Sequence, residues 1–238
     1  AIDSALAELA APLIPAVQAT LALSEEQPIV WWLGKKPNVE LLARINRFAE
    51  KAQHDGTLAS IEDRYLGHVH RLKQADILNF MSEIETTLPK LKKYFQAAEL
   101  VTDIDWRLIA AVAFHESHWD ANATSYTNVR GIMMLTEETA DRLRVNNRLD
   151  PKEAILAGAR YINLLKDQIG DETPEPDRTW LALAAYNIGP GNFSSGQRLA
   201  KILKSDPNNW FEMKQVLPKL ALPKFRQQLK TGPIRGGE

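Results

Sequence analysis

The sequence predicts an α+β chain: a short α/β part over residues 1–68, then a mainly α-helical domain over 69–238. Three observations carry this. Two short, β-prone apolar runs, Thr20–Leu23 and Ile29–Leu33, stand near the start between turn-forming residues and read as buried strands. From Val69 onward such runs vanish, and apolar residues recur at the helical period instead. The change falls in a short polar stretch, His68–Ala75, too brief for a long linker.

The elements follow in order. Residues 4–19 favour helix, with Ser4 as a candidate N-cap and Pro12 and Pro15 placed to end or kink it. After the second apolar run, Gly34–Asn38 is a turn, and Asn38 can cap a helix from Val39 to about Gln53. Leu41, Leu42, Ile45 and Phe48 share one face of that helix. His54–Thr57 breaks it, and a second helix covers Leu58–Tyr65. The helical domain then runs through Ile77–Leu88, Pro89–Glu99, Trp106–Trp119, Glu137–Leu143, Pro151–Gln168, Arg178–Tyr186 and Gly196–Lys204. Pro151 after Asp150 is a helix start, and Gly189-Pro190-Gly191 a stop.

The totals exclude several function classes. Hydrophobic residues make up 45% and charged residues 25%, an ordinary globular balance. A net charge of −1 gives no basic field for nucleic acid or an anionic membrane. Without cysteine there are no disulfides, thiol nucleophiles or thiolate metal sites. No apolar run approaches the roughly 20 residues that span a bilayer. The first residues lack a charged start and apolar stretch, so no signal peptide is read; a mature chain would look the same.

The stretch 105–136 carries the chemistry. Ile109, Val112, Ala113 and Glu116 fall on one helical face, which turns the Glu116 carboxyl toward the core side. A carboxyl group in apolar surroundings has a raised pKa and can serve as a general acid near neutrality. The plainer alternative, a frayed helix end that reaches water or a cap, stays open at this point. Residues 180–191 form a small-residue helix ending in Tyr186 and Asn187, which either line a cleft or act as a core aromatic and a cap. Ser125 lies in a loop of Asn, Thr and Ser that reads equally as a capped turn. Asp120, the one acid within four positions of Glu116, reads as a cap of the loop after the helix. His115 and His118 flank Glu116 without metal-ligand spacing, and the remaining histidines read as surface residues. No metal and no cofactor is expected.

Taken together, Glu116-Ser117-x-Trp119-Asp120, Ala123-Thr124-Ser125, Gly131–Leu135 and Ala185-Tyr186-Asn187-x-Gly189-x-Gly191 resemble the soluble-type (family 1) lytic transglycosylases across roughly residues 77–225. That family has a lysozyme-like fold. The variant Met133-Met134, with the preceding Asn128-Val129-Arg130, looks like its membrane-bound F branch; Met134 stands where the wider family has glutamine. Glu40–Phe48, Asp55–Leu58 and Arg64–His68 resemble the last helices of periplasmic solute-binding domains, which implies that residues 1–68 are a partial second lobe. Arg235–Glu238 resembles the loop before a closing Tyr-containing helix, which residues 69–238 then lack.

The resemblance implies non-hydrolytic cleavage of the β-1,4 bond between N-acetylmuramic acid and N-acetylglucosamine in peptidoglycan, leaving 1,6-anhydromuramic ends. Glu116 would act as acid and then base. Ser125 would donate to the muramyl acetamido or lactyl region. Tyr186 would pack against the sugar and orient Glu116, Asn187 would join the substrate contacts, and Met133 and Met134 would floor an apolar cleft. It further implies glycan strands as partner, muropeptides or stem peptides at the front domain, and a place in the periplasm at the inner face of the outer membrane, through an anchor outside this chain. A lysozyme-type hydrolase and a non-catalytic muropeptide sensor are the alternatives.

Overall fold

The computed structural model describes residues 3, 6, 7, 10, 11, 14, 21, 24, 25, 30–36, 38–67 and 74–229. The chain divides into two compact units, residues 1–79 and 80–238.

In the first unit α1 (Val39–His54) starts where Asn38 accepts a hydrogen bond from the Leu41 N–H (3.1 Å). It ends before Asp55, whose carboxylate takes the Thr57 N–H and hydroxyl at the start of α2 (Thr57–Leu66). The hydroxyl, then the backbone N–H, of Thr57 hold the Asp55 carboxyl below its usual range. Leu41, Leu42 and Phe48 do share one face of α1, but that face is uncovered; Ala52 is its buried residue.

The expected buried strand at Ile29–Leu33 is corrected. Val30–Leu33 have no strand assignment, and Val30, Trp31 and Trp32 are 73%, 72% and 81% exposed. The physical reason is that a strand needs a neighbour to satisfy its N–H and C=O groups. Among the described residues of this unit no other strand exists. An α/β arrangement is therefore absent among them. Of Thr20–Leu23 only Leu21 is described, and it is exposed; the rest of that run, Ile29, Ser4, Pro12, Pro15 and Arg235–Glu238 lie outside the described residues.

The second unit is helical. After α3 (Gln74–Thr86) come α4 (Leu88–Thr102), α5 (Trp106–Ser117), α6 (Glu137–Arg142), α7 (Pro151–Ile169), α8 (Asp177–Ile188), α9 (Pro190–Ile202), α10 (Trp210–Val216), a 3-10 turn (Leu217–Ala221) and α11 (Pro223–Leu229). Strand pairing among the described residues is limited to two isolated bridges, Thr124 with Arg130 and Arg130 with Leu135.

Helix α7 is the spine. Asp150 caps it through the Lys152 and Glu153 N–H groups, and Pro151 occupies the first turn. It packs on α4 and α8. Ala154, Ile155, Ala159 and Ile162 are fully buried with Phe95, Ile109, Ala113 and Ile132. Each such isoleucine contributes roughly 1.5–3 kcal/mol of burial. A second cluster of Leu165, Leu181, Leu199, Met213 and Leu220 joins α7 to α8, α9 and α10.

Three differences from the sequence expectation stand out here. Helix α9 begins at Pro190 rather than Gly196: Gly189 ends α8, and the proline behind it opens the next helix. Helices α10 and α11, past Lys204, were not expected. They have seven residues each, too short for a periodic signal.

Candidate active site

Helix α5 presents the candidate acid. Asp105 caps its start by accepting the Arg107 N–H (2.8 Å). The Arg107 guanidinium, then its backbone N–H, hold the Asp105 carboxyl down at about 2. At the other end His118 and Trp119 both take positive φ (52° and 61°), and the chain doubles back. That reversal buries Trp119, whose Nε1 donates to Ala110 O (2.8 Å) and whose ring meets Phe114 and Phe80 at 5.0 and 5.9 Å. The last turn of α5 is thereby locked against its own body.

Ile109 and Ala113 of the face read from the sequence are fully buried. Glu116 continues that face and is partly buried. No group among the described residues donates a hydrogen bond or ion pair to its carboxyl. Burial alone pushes its pKa up to about 7. The frayed-end alternative fails on this point, since a solvated or capped carboxylate would not be driven toward its neutral form.

Two hydroxyls hold the loop beside it. Ser117 Oγ shares its proton between Ile132 O (2.9 Å) and Ala113 O (3.1 Å). Tyr186, half-buried on α8, donates its hydroxyl to Met133 O (2.7 Å). Burial, then the nearby Glu116 and Tyr161, hold the Tyr186 phenol well above its ordinary range. The loop itself is fixed by Gly131, at φ 81°, where a Cβ would stand 1.8 Å from Arg148 O. Arg148 returns the contact, donating from Nη1 to Asn128 O (2.9 Å) and Leu135 O (3.1 Å).

The structure brings Glu116, Tyr186 and the Met133 backbone together. Met133's side chain, in contrast, is fully buried and packs on Gly158, where a Cβ would lie 2.4 Å from Met133 Cε. It is core beneath the site rather than the floor a substrate would touch; a turn with φ +46° at Met134 sends the two neighbours in different directions. Met134 is partly exposed, and Asn187 is exposed. Ser125 Oγ accepts from the N–H groups of Thr127 (3.3 Å) and Val129 (3.1 Å) and lies 2.9 Å from the Thr127 hydroxyl, so it serves the turn. Asp120 accepts the Asn122 N–H (2.8 Å). No His, Asp and Glu cluster fit for a metal occurs among the described residues.

Sequence reasoning assigned no role to Ser117, Arg148 or Gly158. Gly158 had a signal, a glycine between two alanines inside a long helical pattern, which marks close approach. Two concavities, a polar one of about 260 Å3 beside Arg130 and an apolar one of about 200 Å3 beside Phe193, do not include Glu116 in their linings. The desolvated Glu116 carboxyl is the better guide to chemistry, because a strongly raised pKa is a property of the titrating group itself.

Residues 93–209 match the family profile described as "Transglycosylase SLT domain". The chain carries an SLT transglycosylase domain. Over 99% of its length it is 48% identical to a membrane-bound lytic murein transglycosylase F of Methylobacillus flagellatus and 44% identical to one of Nitrosospira multiformis. One from Thiobacillus denitrificans is 45% identical over 94% of the chain. The chain spans about half the length of these curated relatives, covering 50%, 49% and 48% of them. The SLT match runs from within α4 to the residue before α10, so Glu116, Ser125, Gly131, Tyr186 and Asn187 all lie inside it. Among the described residues no helix is long and apolar enough to cross a membrane.

Proposed function

We propose that this chain is a peptidoglycan lytic transglycosylase, cutting the β-1,4 bond between N-acetylmuramic acid and N-acetylglucosamine to leave a 1,6-anhydromuramic end. The observation that carries the reading is Glu116, a partly buried carboxyl with no counter-charge and a pKa near 7. Such a group is about half protonated at neutral pH and can give and take a proton in one cycle. Protonated Glu116 donates to the glycosidic oxygen as the C1–O bond breaks. The substrate's N-acetyl oxygen stabilises the developing positive charge at C1. The Glu116 carboxylate then removes the C6 hydroxyl proton, and that oxygen closes on C1. One carboxyl suffices, which agrees with burial, and no neighbouring carboxylate, as the cause of the Glu116 shift among the described residues.

In this reading Tyr186 borders the reacting sugar while its hydroxyl anchors the loop, and Met134 and Asn187 contact the glycan. Ser125 shapes the turn beside the muramyl substituents, its oxygen taking the Thr127 and Val129 N–H groups. Residues 1–68 are read as solute-binding-like from the resemblance of Glu40–Phe48, Asp55–Leu58 and Arg64–His68. The printed name of the relatives, membrane-bound, supports a place in the bacterial envelope; we assign the periplasmic side of the outer membrane. Mass spectrometry of digested peptidoglycan tests the reaction: anhydro ends lie one water below reducing ends. Reducing ends alone would make the chain a hydrolase, and no new ends would make it a binding module.

A further inference from the structure

A concavity borders the loop that Gly131 fixes, with the neighbouring Arg130 in its lining. The polar concavity of about 260 Å3 is lined by Arg130 and Arg148, by Glu137 and Asp141, and by Leu149. Glu137 and Asp141 are four residues apart on α6 and so share a face. Two guanidinium groups and two carboxylates in one cleft would ordinarily neutralise each other. Among the described residues none of the four forms an ion pair with another.

The two arginines are also held in place. Arg148 is tied through Nη1 to Asn128 O and Leu135 O, and Arg130 Nε donates to Asn128 Oδ1 (2.7 Å). Each retains N–H groups with no acceptor among the described residues, so little side-chain freedom is lost when an anion arrives. The cleft therefore offers, in one lining, fixed donors for carboxylates and acceptors for an amine. It shares its loop with the candidate active site: Arg130 bridges to both Thr124 and Leu135, next to Ser125 and Met134.

We propose that this cleft binds the peptide branch of the glycan strand, with Arg130 and Arg148 receiving its free carboxylates and Glu137 and Asp141 its amine. The assignment rests on reading the chain as acting on peptidoglycan, whose muramyl units carry such zwitterionic peptides on the lactyl group. The occupant follows from the charge pattern: a simple phosphate would leave Glu137 and Asp141 without a partner, and a neutral sugar would leave all four charges without one.

The test is isothermal titration of the full chain with the free tripeptide L-alanyl-γ-D-glutamyl-meso-diaminopimelate. Saturable binding is expected, weakened at least tenfold by Arg130→Gln and to a similar extent by amidating the peptide's carboxylates. Because the amidated peptide is tested on the unaltered chain, the result does not depend on how well the variant folds. Glu116→Gln is expected to bind the tripeptide as the unaltered chain does. Retained binding in a chain that makes no anhydro ends would thus separate this cleft from the proposed reaction. Absence of saturable binding overturns the assignment, as does equal affinity in Arg130→Gln or for the amidated peptide.

Discussion

Replacing Glu116 by glutamine tests the physical basis of the candidate site apart from any turnover. The carboxyl titrates at about 7 in the folded chain, against an ordinary value of 4.5. Folding therefore favours its protonated form. The associated stability is fully present below about pH 4.5 and is lost as pH rises through 7. Ionising the group in this setting costs roughly 3 kcal/mol more than in water. Glutamine has the same shape and never ionises. The difference in unfolding free energy between Glu116→Gln and the unaltered chain should then be flat below pH 4.5. It should move in favour of the variant by about 1.4 kcal/mol per pH unit up to about 7, and level off near 3 kcal/mol. Urea denaturation of both chains from pH 4 to 8 measures it, and subtracting one from the other cancels the other titrating groups. A difference that stays constant across that range would refute the claim that burial raises this pKa. Cleavage should meanwhile fall to background in the variant, and the unaltered chain's rate should decline above pH 7 as the acid is lost.

Gly131→Ala forces a Cβ onto Arg148 O at positive φ; it should remove peptidoglycan cleavage, with a lowered melting temperature by calorimetry. Tyr186→Phe leaves Met133 O without its donor and should cost about 1–2 kcal/mol in urea denaturation, together with a reduced kcat. Ser125→Ala removes an acceptor for two backbone N–H groups, and stability should drop by about 1 kcal/mol; a rise in KM for peptidoglycan beyond that would support substrate contact. Gly158→Ala should cost about 1–3 kcal/mol by crowding Met133, with unfolding at lower urea.

Local chemistry was the most legible part of this chain. Asn38 and Asp150 sit at helix starts because a short polar side chain reaches its own helix's free N–H groups, a decision taken within four residues. The inward aspect of Glu116 followed from helical period. What depended on distant partners was not legible. Val30–Leu33 has strand-like residues, but pairing is a property of two segments. Met133 and Met134 look equivalent in sequence, yet the turn buries one and leaves the other partly open. Ser125 could have faced a ligand or its own loop; the Thr127 and Val129 N–H groups occupy its oxygen. Pro190 could be read as a stop, and it was also a start.

The strand of chain at 131–135 is held almost wholly by its main chain. Ser117 and Tyr186 grip the carbonyls of Ile132 and Met133 from two different helices, and Arg148 grips that of Leu135. A carbonyl looks the same whatever side chain it belongs to. The wall beside the acid can therefore exchange its outward residue, methionine at 134 for an amide or another group, while its path and the setting of Glu116 stay fixed. In the proposed reading, that arrangement would separate two kinds of inheritance: the setting of the acid is held by the clamps, and contact with the glycan is left to a single replaceable position.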